Sequence, residues 1–380
     1  MKRLVFIGLA LVLMLSGLLL ACSQPAPTTP PPTTGAPPTT APPTTPPAQV
    51  TTLVHSAMDI ESTPQSDMDK WYFEEVIKRS GGTIKFQYNF ATLTSATETL
   101  PAVRGGAVQI SNPAPSFFPG DIPLNGLFNG TRVPSTTADA MRSILDVSYG
   151  DSEVSKIINS EWTANNVKLL IWHPMDYTFI TKKVVTKLAD LKGLKLRSVG
   201  IFEPKLLDQL GVLAVAVLPA EWYEALSRGT IDGLPAVDSM IVPYKLHEAA
   251  KNVSFMGGSI LAQPLVINMD TWNKLTPQQK DAFANPDFIK QTTEQFIKMH
   301  YEMKERDWKT MKDQGVVFQT VDKTEQEKIY TLWKETTIKE FPKDLAAKGK
   351  EADSLKVLDA WLKAVTDKDL VTWKKELNIN

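Results

Sequence analysis

The stretch Asp190-Leu191-Lys192-Gly193-Leu194-Lys195-Leu196-Arg197 begins the part of the sequence that decides the fold. Residues 194–197 predict a strand, and a helix follows to Leu210. The all-apolar run at 212–218 then predicts a strand that is buried on both faces. Pro219-Ala220-Glu221-Trp222 opens another helix. Strands that alternate with helices in this way predict an α/β fold.

The same alternation extends in both directions along the chain. Residues 83–90 alternate between apolar and polar side chains, which predicts a half-buried strand after a helix that ends at Gly81 and Gly82. Further strands are predicted at 107–111, 167–172, 177–181, 253–256, 264–268 and 316–320, with helices at 97–104, at 136–149 and from Thr276-Pro277 onward. This order of elements predicts two α/β lobes.

The composition excludes some classes of protein. The 380 residues include 41 Lys or Arg and 42 Asp or Glu, for a net charge of -1. Nucleic-acid binding needs an excess of cations, so nucleic acid is not a predicted partner. The single cysteine excludes an internal disulfide and a thiolate metal cluster.

The first 49 residues predict a secretion signal followed by a spacer. Lys2 and Arg3 precede an apolar run that ends in Leu19-Leu20-Ala21-Cys22, as in a secretory signal. The last four residues resemble the lipobox of bacterial lipoproteins, which implies a signal at 1–22 and acylation of Cys22. Several acyl chains would anchor the protein firmly, at about 0.8 kcal/mol for each buried methylene. The alternative is an uncleaved membrane anchor with a buried thiol.

Residues 25–47 contain only Pro, Thr, Ala and one Gly. Such a segment cannot bury enough apolar surface to fold, and its prolines favour extended conformations. Residues 23–49 are therefore predicted to be a linker, either a semi-rigid stalk or a disordered spacer.

Catalytic motifs are scarce in this sequence. It has no Gly-x-Ser-x-Gly, no Walker loop, no Gly-x-Gly-x-x-Gly after a strand and no His-Glu-x-x-His. His55, His173, His247 and His300 are scattered singly, and a lone histidine is usually structural. An enzyme is not predicted.

An acidic cluster near the start of the folded part suggests calcium ligands at first sight. Asp59, Glu61, Asp67 and Asp69 lie close together, but the glycine and ligand spacing of a calcium loop is missing. The cluster is interpreted as a solvated acidic face with helix-capping roles. No metal and no cofactor is predicted.

Two segments carry a family resemblance. The stretch 190–197, followed by Glu-Trp-Tyr-Glu-Ala-Leu-Ser-Arg-Gly-Thr-Ile-Asp-Gly at 221–233, resembles the substrate-binding proteins of tripartite ATP-independent periplasmic (TRAP) transporters, the DctP family. The resemblance covers roughly residues 50–280 in the family's order. Further matching segments are 78–85, 103–110 and 244–251.

The resemblance implies a two-lobed α/β fold of the periplasmic binding protein-like type II class, with hinge strands between the lobes and a long C-terminal helix spanning both. It implies lobe I at 50–174 plus 263–302, lobe II at 175–262 plus 303–380, and hinges near 172–176 and 257–264. Binding is expected to shift an equilibrium between open and closed lobes.

In the family that the sequence resembles, the arginine at the position of Arg197 binds the carboxylate of the ligand. A guanidinium pairs bidentately with a carboxylate, which the point charge of lysine cannot do. The alternative is that Arg197 only pairs with an acidic neighbour. The other predicted ligand-binding residues are Tyr177, Trp222, Glu98, Phe202 and Ala236, with Phe179 and Trp172 as further candidates for an aromatic wall.

The sequence departs from the family at two places. Tyr177 stands where sialic-acid binders carry a second arginine, and Leu234-Pro235-Ala236 replaces a frequent Gln-Glu-Asn. The Glu-Trp pair that accompanies a bound metal in some relatives is also missing there. These differences favour a monocarboxylate with an apolar or aromatic body.

The expected function is that of a lipid-anchored extracytoplasmic solute receptor, which delivers a small organic acid to the membrane permease subunits of a TRAP transporter. Alternatives are the receptor of an ATP-driven (ABC) importer, an extracytoplasmic enzyme, and a sensor or structural surface protein.

Overall fold

The computed structural model describes residues 50–129, 136–200, 202–256 and 261–379. The predicted signal at 1–22, the acylation of Cys22 and the linker at 23–49 lie outside these residues and stay predictions. Within the described ranges, no helix has the length and apolar character needed to cross a membrane.

Up to residue 249, strands and helices mostly alternate along the described residues, except that two consecutive helices lie within 137–164 and no α-helix separates the three strands within 167–198. The strands are β1 (Thr51–Ala57), β2 (Ile84–Phe90), β3 (Ile110–Ser111), β4 (Val167–Met175), β5 (Tyr177–Thr181), β6 (Lys195–Ser198), β7 (Leu213–Ala216), β8 (Gly233–Val237), β9 (Asn252–Ser254), β10 (Leu261–Asn268) and β11 (Val317–Gln319). The helices are α1 (Pro64–Arg79), α2 (Thr99–Arg104), α3 (Thr137–Ser148), α4 (Glu153–Ala164), α5 (Phe202–Gln209), α6 (Trp222–Ser227), α7 (Leu246–Ala249), α8 (Met269–Lys274), α9 (Pro277–Ala284), α10 (Pro286–Asp313), α11 (Lys323–Ala346), α12 (Glu351–Thr366) and α13 (Leu370–Glu376).

Lobe I is built on a five-stranded sheet in the order β2-β1-β3-β10-β4. β1 runs parallel to β2 and β3, whereas β10 is antiparallel to β3 and β4. Helix α1 packs its buried Met68, Tyr72 and Phe73 into the same apolar cluster as Leu53 of β1. The crossover from β1 through α1 to β2 is the β-α-β unit that parallel strands require.

Lobe II is built on a six-stranded sheet in the order β11-β9-β5-β8-β6-β7. β5 is antiparallel to both β8 and β9, and β6 is parallel to β7 and β8. A second apolar cluster, which includes Ile180, Leu226 and Ile241, covers this sheet. The predicted two-lobed α/β fold is confirmed.

The chain passes between the lobes at identifiable residues. Asp176 alone separates β4 of lobe I from β5 of lobe II, within the hinge predicted near 172–176. The second predicted hinge, near 257–264, begins after β9 and extends into β10, and its residues 257–260 lie outside the described ranges.

The long helix α10 spans both lobes, as predicted. It has 28 residues. Phe288 and Phe296, in its first half, pack in the lobe I cluster, and Met311 near its end packs in the lobe II cluster.

The helices after β11 do not follow one lobe. α11 packs against α5 of lobe II, whereas α12 packs against α3 and α4 of lobe I. The assignment of 303–380 to lobe II therefore does not describe where α12 lies, and the lobe boundaries stay predictions.

One strand prediction is wrong. The apolar run 212–218 was expected to be buried on both faces, but β7 covers only Leu213–Ala216 and lies at the edge of its sheet. Leu213 is 57% exposed. An edge position leaves one side of a strand without a neighbour, so an apolar composition does not ensure burial there.

Candidate functional site

A cavity lies between the two lobes. The room left for water-sized molecules is about 30 Å³, within a void of about 390 Å³ that includes its opening to solvent. Lobe I contributes Met58, Asp59, Ala114, Ser116, Phe117, Met175 and Gln263 to its wall, and lobe II contributes Tyr177, Arg197, Val199, Pro219, Trp222, Val237 and Met240.

Arg197 is placed on this wall by the alternation of β6. Leu196 points into the apolar core, so the neighbouring Arg197 side chain lies on the opposite face of the sheet. Arg197 is only 3% exposed. A buried guanidinium is costly unless it has partners, so its surroundings decide its role.

Two aromatic residues hold the Arg197 guanidinium. Its Nη1 donates a hydrogen bond to the Tyr177 hydroxyl at 3.2 Å. Its central carbon lies 5.0 Å from the centre of the Trp222 ring, within the range of a cation-π contact. Two of the predicted ligand-binding residues therefore orient the third.

Glu203 is the acidic neighbour of Arg197. Its Oε2 lies 3.6 Å from Nη1, which is too long for a hydrogen bond, and the same oxygen accepts the Val199 N–H at 2.8 Å. The buried Nε of Arg197 has no hydrogen-bond partner among the residues that the structure describes. The pair with Glu203 is thus loose, and it leaves donor capacity on the guanidinium.

Local structure fixes the two aromatic side chains. Trp222 is the first residue of α6, and its Nε1 donates to the Val217 carbonyl at 3.2 Å. Its ring centre lies 5.4 Å from that of Tyr244. Tyr177 is the first residue of β5 and pairs with Val237 of β8. Both side chains on the lobe II side of the cavity are therefore positioned by contacts within lobe II.

Asp59 is the charged residue that lobe I brings to the cavity. It is 1% exposed, and its Oδ2 accepts a hydrogen bond from Gln263 Nε2 at 2.9 Å. Burial raises the pKa of Asp59 to about 6, although the Gln263 hydrogen bond opposes the rise. The interpretation of the acidic cluster as a solvated face is wrong for Asp59 and Asp69, because both are buried where β1 and α1 enter the lobe.

A buried polar cluster lies behind Asp59. The Asp69 carboxylate is 2.9 Å from His173 Nε2 and 3.3 Å from His55 Nε2. Burial alone would raise the pKa of Asp69, but His173 and His55 outweigh it and hold that pKa well below its usual range. Across the described ranges, no group of three or more His, Cys, Asp or Glu side chains is arranged to hold a metal ion. The cluster links β1, α1 and β4 in the interior of lobe I.

The lobes approach closely beside the cavity. Gly200, just after β6, has φ +74°, and a Cβ there would lie 3.3 Å from the Cβ of Ser116 in lobe I. Gln65 Nε2 of lobe I donates to Ser239 Oγ of lobe II at 3.3 Å. In this arrangement of the lobes, the internal space is too small for a solute of more than a few atoms.

Three predicted ligand-binding residues lie away from the cavity wall. Phe202 is 2% exposed, and its ring centre lies 5.8 Å from that of Phe341 in the core. Glu98 is exposed and accepts hydrogen bonds from the Ser95 N–H and hydroxyl at 2.9 and 2.7 Å. Ala236 lies in β8 next to Val237, and adjacent strand residues face opposite sides.

The two further candidates for an aromatic wall are core residues. Trp172 is 1% exposed, and its ring centre lies 5.6 Å from Phe128 and 6.2 Å from Trp162. Phe179 is also 1% exposed and belongs to the same apolar cluster. Placing them in a binding wall was wrong, because aromatic composition does not distinguish a core from a pocket.

The lobe I residues of the cavity were missed from the sequence. A signal was available for Met58 and Asp59, because they follow the carboxyl end of β1, and ligands of α/β sheets bind outside such ends. Gln263 gave no such signal, because it lies within β10 and reaches Asp59 only through the fold.

Comparison with known proteins identifies the family. Residues 56–344 match the DctP family, bacterial extracellular solute-binding protein, family 7. A solute-binding protein of Verminephrobacter eiseniae is 25% identical over 249 residues, which cover 63% of this chain and 70% of that protein. A monocarboxylate 2-oxoacid-binding periplasmic protein of Nostoc is 28% identical over 208 residues, covering 50% of this chain and 52% of that protein.

A solved structure shares the fold. DctP7 of Bordetella pertussis, an extracytoplasmic solute receptor binding pyroglutamic acid, superposes with a TM-score of 0.71 at 17% identity, covering 82% of this chain and 99% of that chain. The chain described here belongs to the DctP family of bacterial extracellular solute-binding proteins.

Proposed function

We propose that this protein is the solute receptor of a TRAP transporter. It binds a small organic monocarboxylate between its lobes through an ion pair with Arg197 and delivers the solute to membrane permease subunits. The proposal combines membership of a solute-binding family with the chemistry of the cavity.

The observation that carries this proposal is the state of Arg197. A guanidinium that is 3% exposed, lies on the wall of an interlobe cavity and keeps an Nε without a partner in the described part of the chain is suited to take up an anion. Closure of the lobes removes water, which strengthens an ion pair. The loose contact with Glu203 is compatible with exchange of one carboxylate for another.

The rest of the wall favours a solute with an apolar body. Apart from Arg197, Asp59, Gln263, Ser116 and the Tyr177 hydroxyl, the cavity is lined by apolar side chains. Binding sites of this kind gain affinity from apolar burial and orientation from a few polar groups. The relatives named for 2-oxo monocarboxylates and for pyroglutamic acid support the same class of solute.

A thermal-shift screen of small carboxylates tests the proposal. A bound solute stabilises the folded state in proportion to RT ln(1 + [L]/Kd), so the midpoint of unfolding should rise with solute concentration. Arg197→Lys should weaken binding at least about tenfold, since a charge-assisted bidentate pair is lost. Arg228→Lys is the matched control, because its side chain is 78% exposed and pairs with Glu224 one helical turn earlier.

Two results would contradict the proposal. A screen without any stabilising carboxylate would overturn the ligand class. Equal stabilisation of the wild-type protein and Arg197→Lys would remove Arg197 from the binding site.

We also propose that the protein is held at the membrane by acylated Cys22. Leu19-Leu20-Ala21, which precede Cys22 at the end of an apolar run, support this anchor. Cys22→Ser should move the protein from the membrane fraction to the soluble fraction of cells, and it should abolish labelling by a fatty-acid analogue. Unchanged fractionation would contradict the anchor.

A further inference from the structure

Asp59 has an unused acceptor inside the cavity. Its Oδ2 is occupied by the Gln263 amide at 2.9 Å, whereas nothing in the described ranges donates to the buried Oδ1. Buried polar atoms in folded proteins nearly always have a partner, so an orphaned oxygen on a cavity wall points to a group that arrives with a ligand.

Asp59 is an acceptor at neutral pH. Burial raises its pKa to about 6, and the charge of Asp69 adds to the rise, while His173 and His55 oppose it. Tyr244 of lobe II also interacts electrostatically with this carboxyl group. At about pH 7.5 the group is still mainly ionised, and an ionised carboxylate can only accept hydrogen bonds.

We propose that Asp59 accepts a hydrogen bond from an N–H group of the solute, and that the ligand class is a small carboxylic acid with an N–H close to its carboxylate. This inference rests on the proposed function. Arg197 in lobe II holds the carboxylate, and Asp59 in lobe I binds the N–H, so the two ends of one molecule join the two lobes.

The charges of the site favour such a solute. Besides Arg197, the cavity and its edge carry the Asp59 and Glu203 carboxylates. A solute whose second polar group is a carbonyl or ether oxygen would place lone pairs against the buried Asp59 charge. A solute with an N–H instead supplies the missing donor, and a hydrogen bond to a charged group is the stronger kind.

Pairs of isosteric solutes test this inference on the full chain by isothermal titration. Pyroglutamate and its lactone isostere, 5-oxotetrahydrofuran-2-carboxylate, differ in one ring N–H. L-leucine and 2-oxoisocaproate compare an ammonium group with an oxo group on one carbon skeleton. In at least one pair, the solute with the N–H should bind about tenfold or more tightly than its partner. A preference in the first pair would indicate recognition of a neutral lactam N–H, and a preference in the second pair would indicate recognition of an ammonium group.

The variant Asp59→Asn sharpens the test. The asparagine oxygen keeps the hydrogen bond from Gln263, which places an NH₂ donor where Oδ1 stood. The preference should then reverse, toward the lactone or the oxo acid. Glu61→Gln is the matched control, since Glu61 lies two residues away with a side chain that is 73% exposed, and it should leave the ratios unchanged.

The outcomes separate this inference from the proposed function. Equal affinity within both pairs, tighter binding of the members without N–H, or an unchanged ratio in Asp59→Asn would overturn the inference alone. The inference about Asp59 would also be overturned if the only carboxylates that bind are ones without an N–H group. Failure of every carboxylate in the screen would overturn the proposed function as well.

Discussion

Lys304 of α10 pairs with two buried carboxylates at the passage between the lobes, and its removal should lower the stability of the fold. Its Nζ lies 2.9 Å from Asp238 and also contacts Asp176, the residue between β4 and β5. The Lys304 side chain is 14% exposed, and those of Asp176 and Asp238 are 8% and 1% exposed. The Lys304 cation therefore lies between two buried carboxylates, one that links β4 to β5 and one that follows β8, and His300 Nε2 lies 3.5 Å from Asp176 as a further partner.

The variant Lys304→Met keeps the aliphatic stem and removes the charge. Breaking a buried ion pair by deleting one partner costs about 3–5 kcal/mol, because an uncompensated charge remains. We expect the free energy of unfolding, measured by urea denaturation with tryptophan fluorescence, to fall by that amount at about pH 7.5. Lys298→Met is the control, since its side chain is 66% exposed and lies 3.8 Å from Glu302. It should cost less than about 0.5 kcal/mol.

The pH dependence of this loss has a definite sign. Burial disfavours the charged form of Lys304, but the Asp238 and Asp176 carboxylates outweigh this effect and raise the pKa of Lys304. The stabilisation that charged Lys304 contributes to the fold is therefore complete at neutral pH and is lost only in strong alkali. Burial raises the pKa of Asp238, and removal of Lys304 should raise it further. The variant's deficit should therefore shrink as the pH falls toward 5. A loss below about 1 kcal/mol, or one that does not change with pH, would refute the reasoning.

Three further predictions concern the cavity and its surroundings. Tyr177→Phe removes the hydroxyl that accepts from Arg197 at 3.2 Å, and it should weaken carboxylate binding by about two- to tenfold in titration calorimetry; an unchanged Kd would contradict this. Burial raises the pKa of Asp59 from 3.8 to about 6, so the folded state loses stability as the pH rises from about 4 to 6 and the carboxyl group ionises more readily in the unfolded chain. Asp59→Asn should therefore raise the free energy of unfolding by up to about 3 kcal/mol above pH 6, and should leave it unchanged below pH 4. Urea midpoints for the variant that equal those of the wild-type protein at both pH values would contradict this prediction. Phe202→Ala should lower the free energy of unfolding by about 3–5 kcal/mol, since Phe202 packs against Phe341, but leave the affinity of the folded protein unchanged; a selective loss of affinity would return Phe202 to the site.

The sequence was informative where local patterns determine structure. The alternation of strands and helices predicted the α/β lobes, and Thr276-Pro277 predicted a helix start, which the structure confirms through the hydrogen bond that Thr276 Oγ1 accepts from the Gln279 N–H. The motif ending in Arg197 placed that residue on a strand, and Tyr177 and Trp222 lie beside it on the cavity wall. Their role in binding stays a prediction.

The sequence failed where tertiary packing decides the outcome. The apolar run at 212–218 contains an edge strand, because strand order in a sheet is not encoded in local periodicity. Phe202 was assigned to the pocket from its type alone, and it packs in the core instead. Asp59 was interpreted as solvated, since nothing in its neighbourhood shows that Gln263, some 200 positions later, would bury and bind it.

The most direct test of the account is a crystal structure of the protein with pyroglutamate, or with the strongest carboxylate from the screen. We expect a solute between the lobes, with a carboxylate oxygen about 3 Å from the Arg197 guanidinium, as charge-assisted hydrogen bonds require. A solute whose carboxylate lies elsewhere, with Arg197 still paired only to Glu203 and Tyr177, would contradict it.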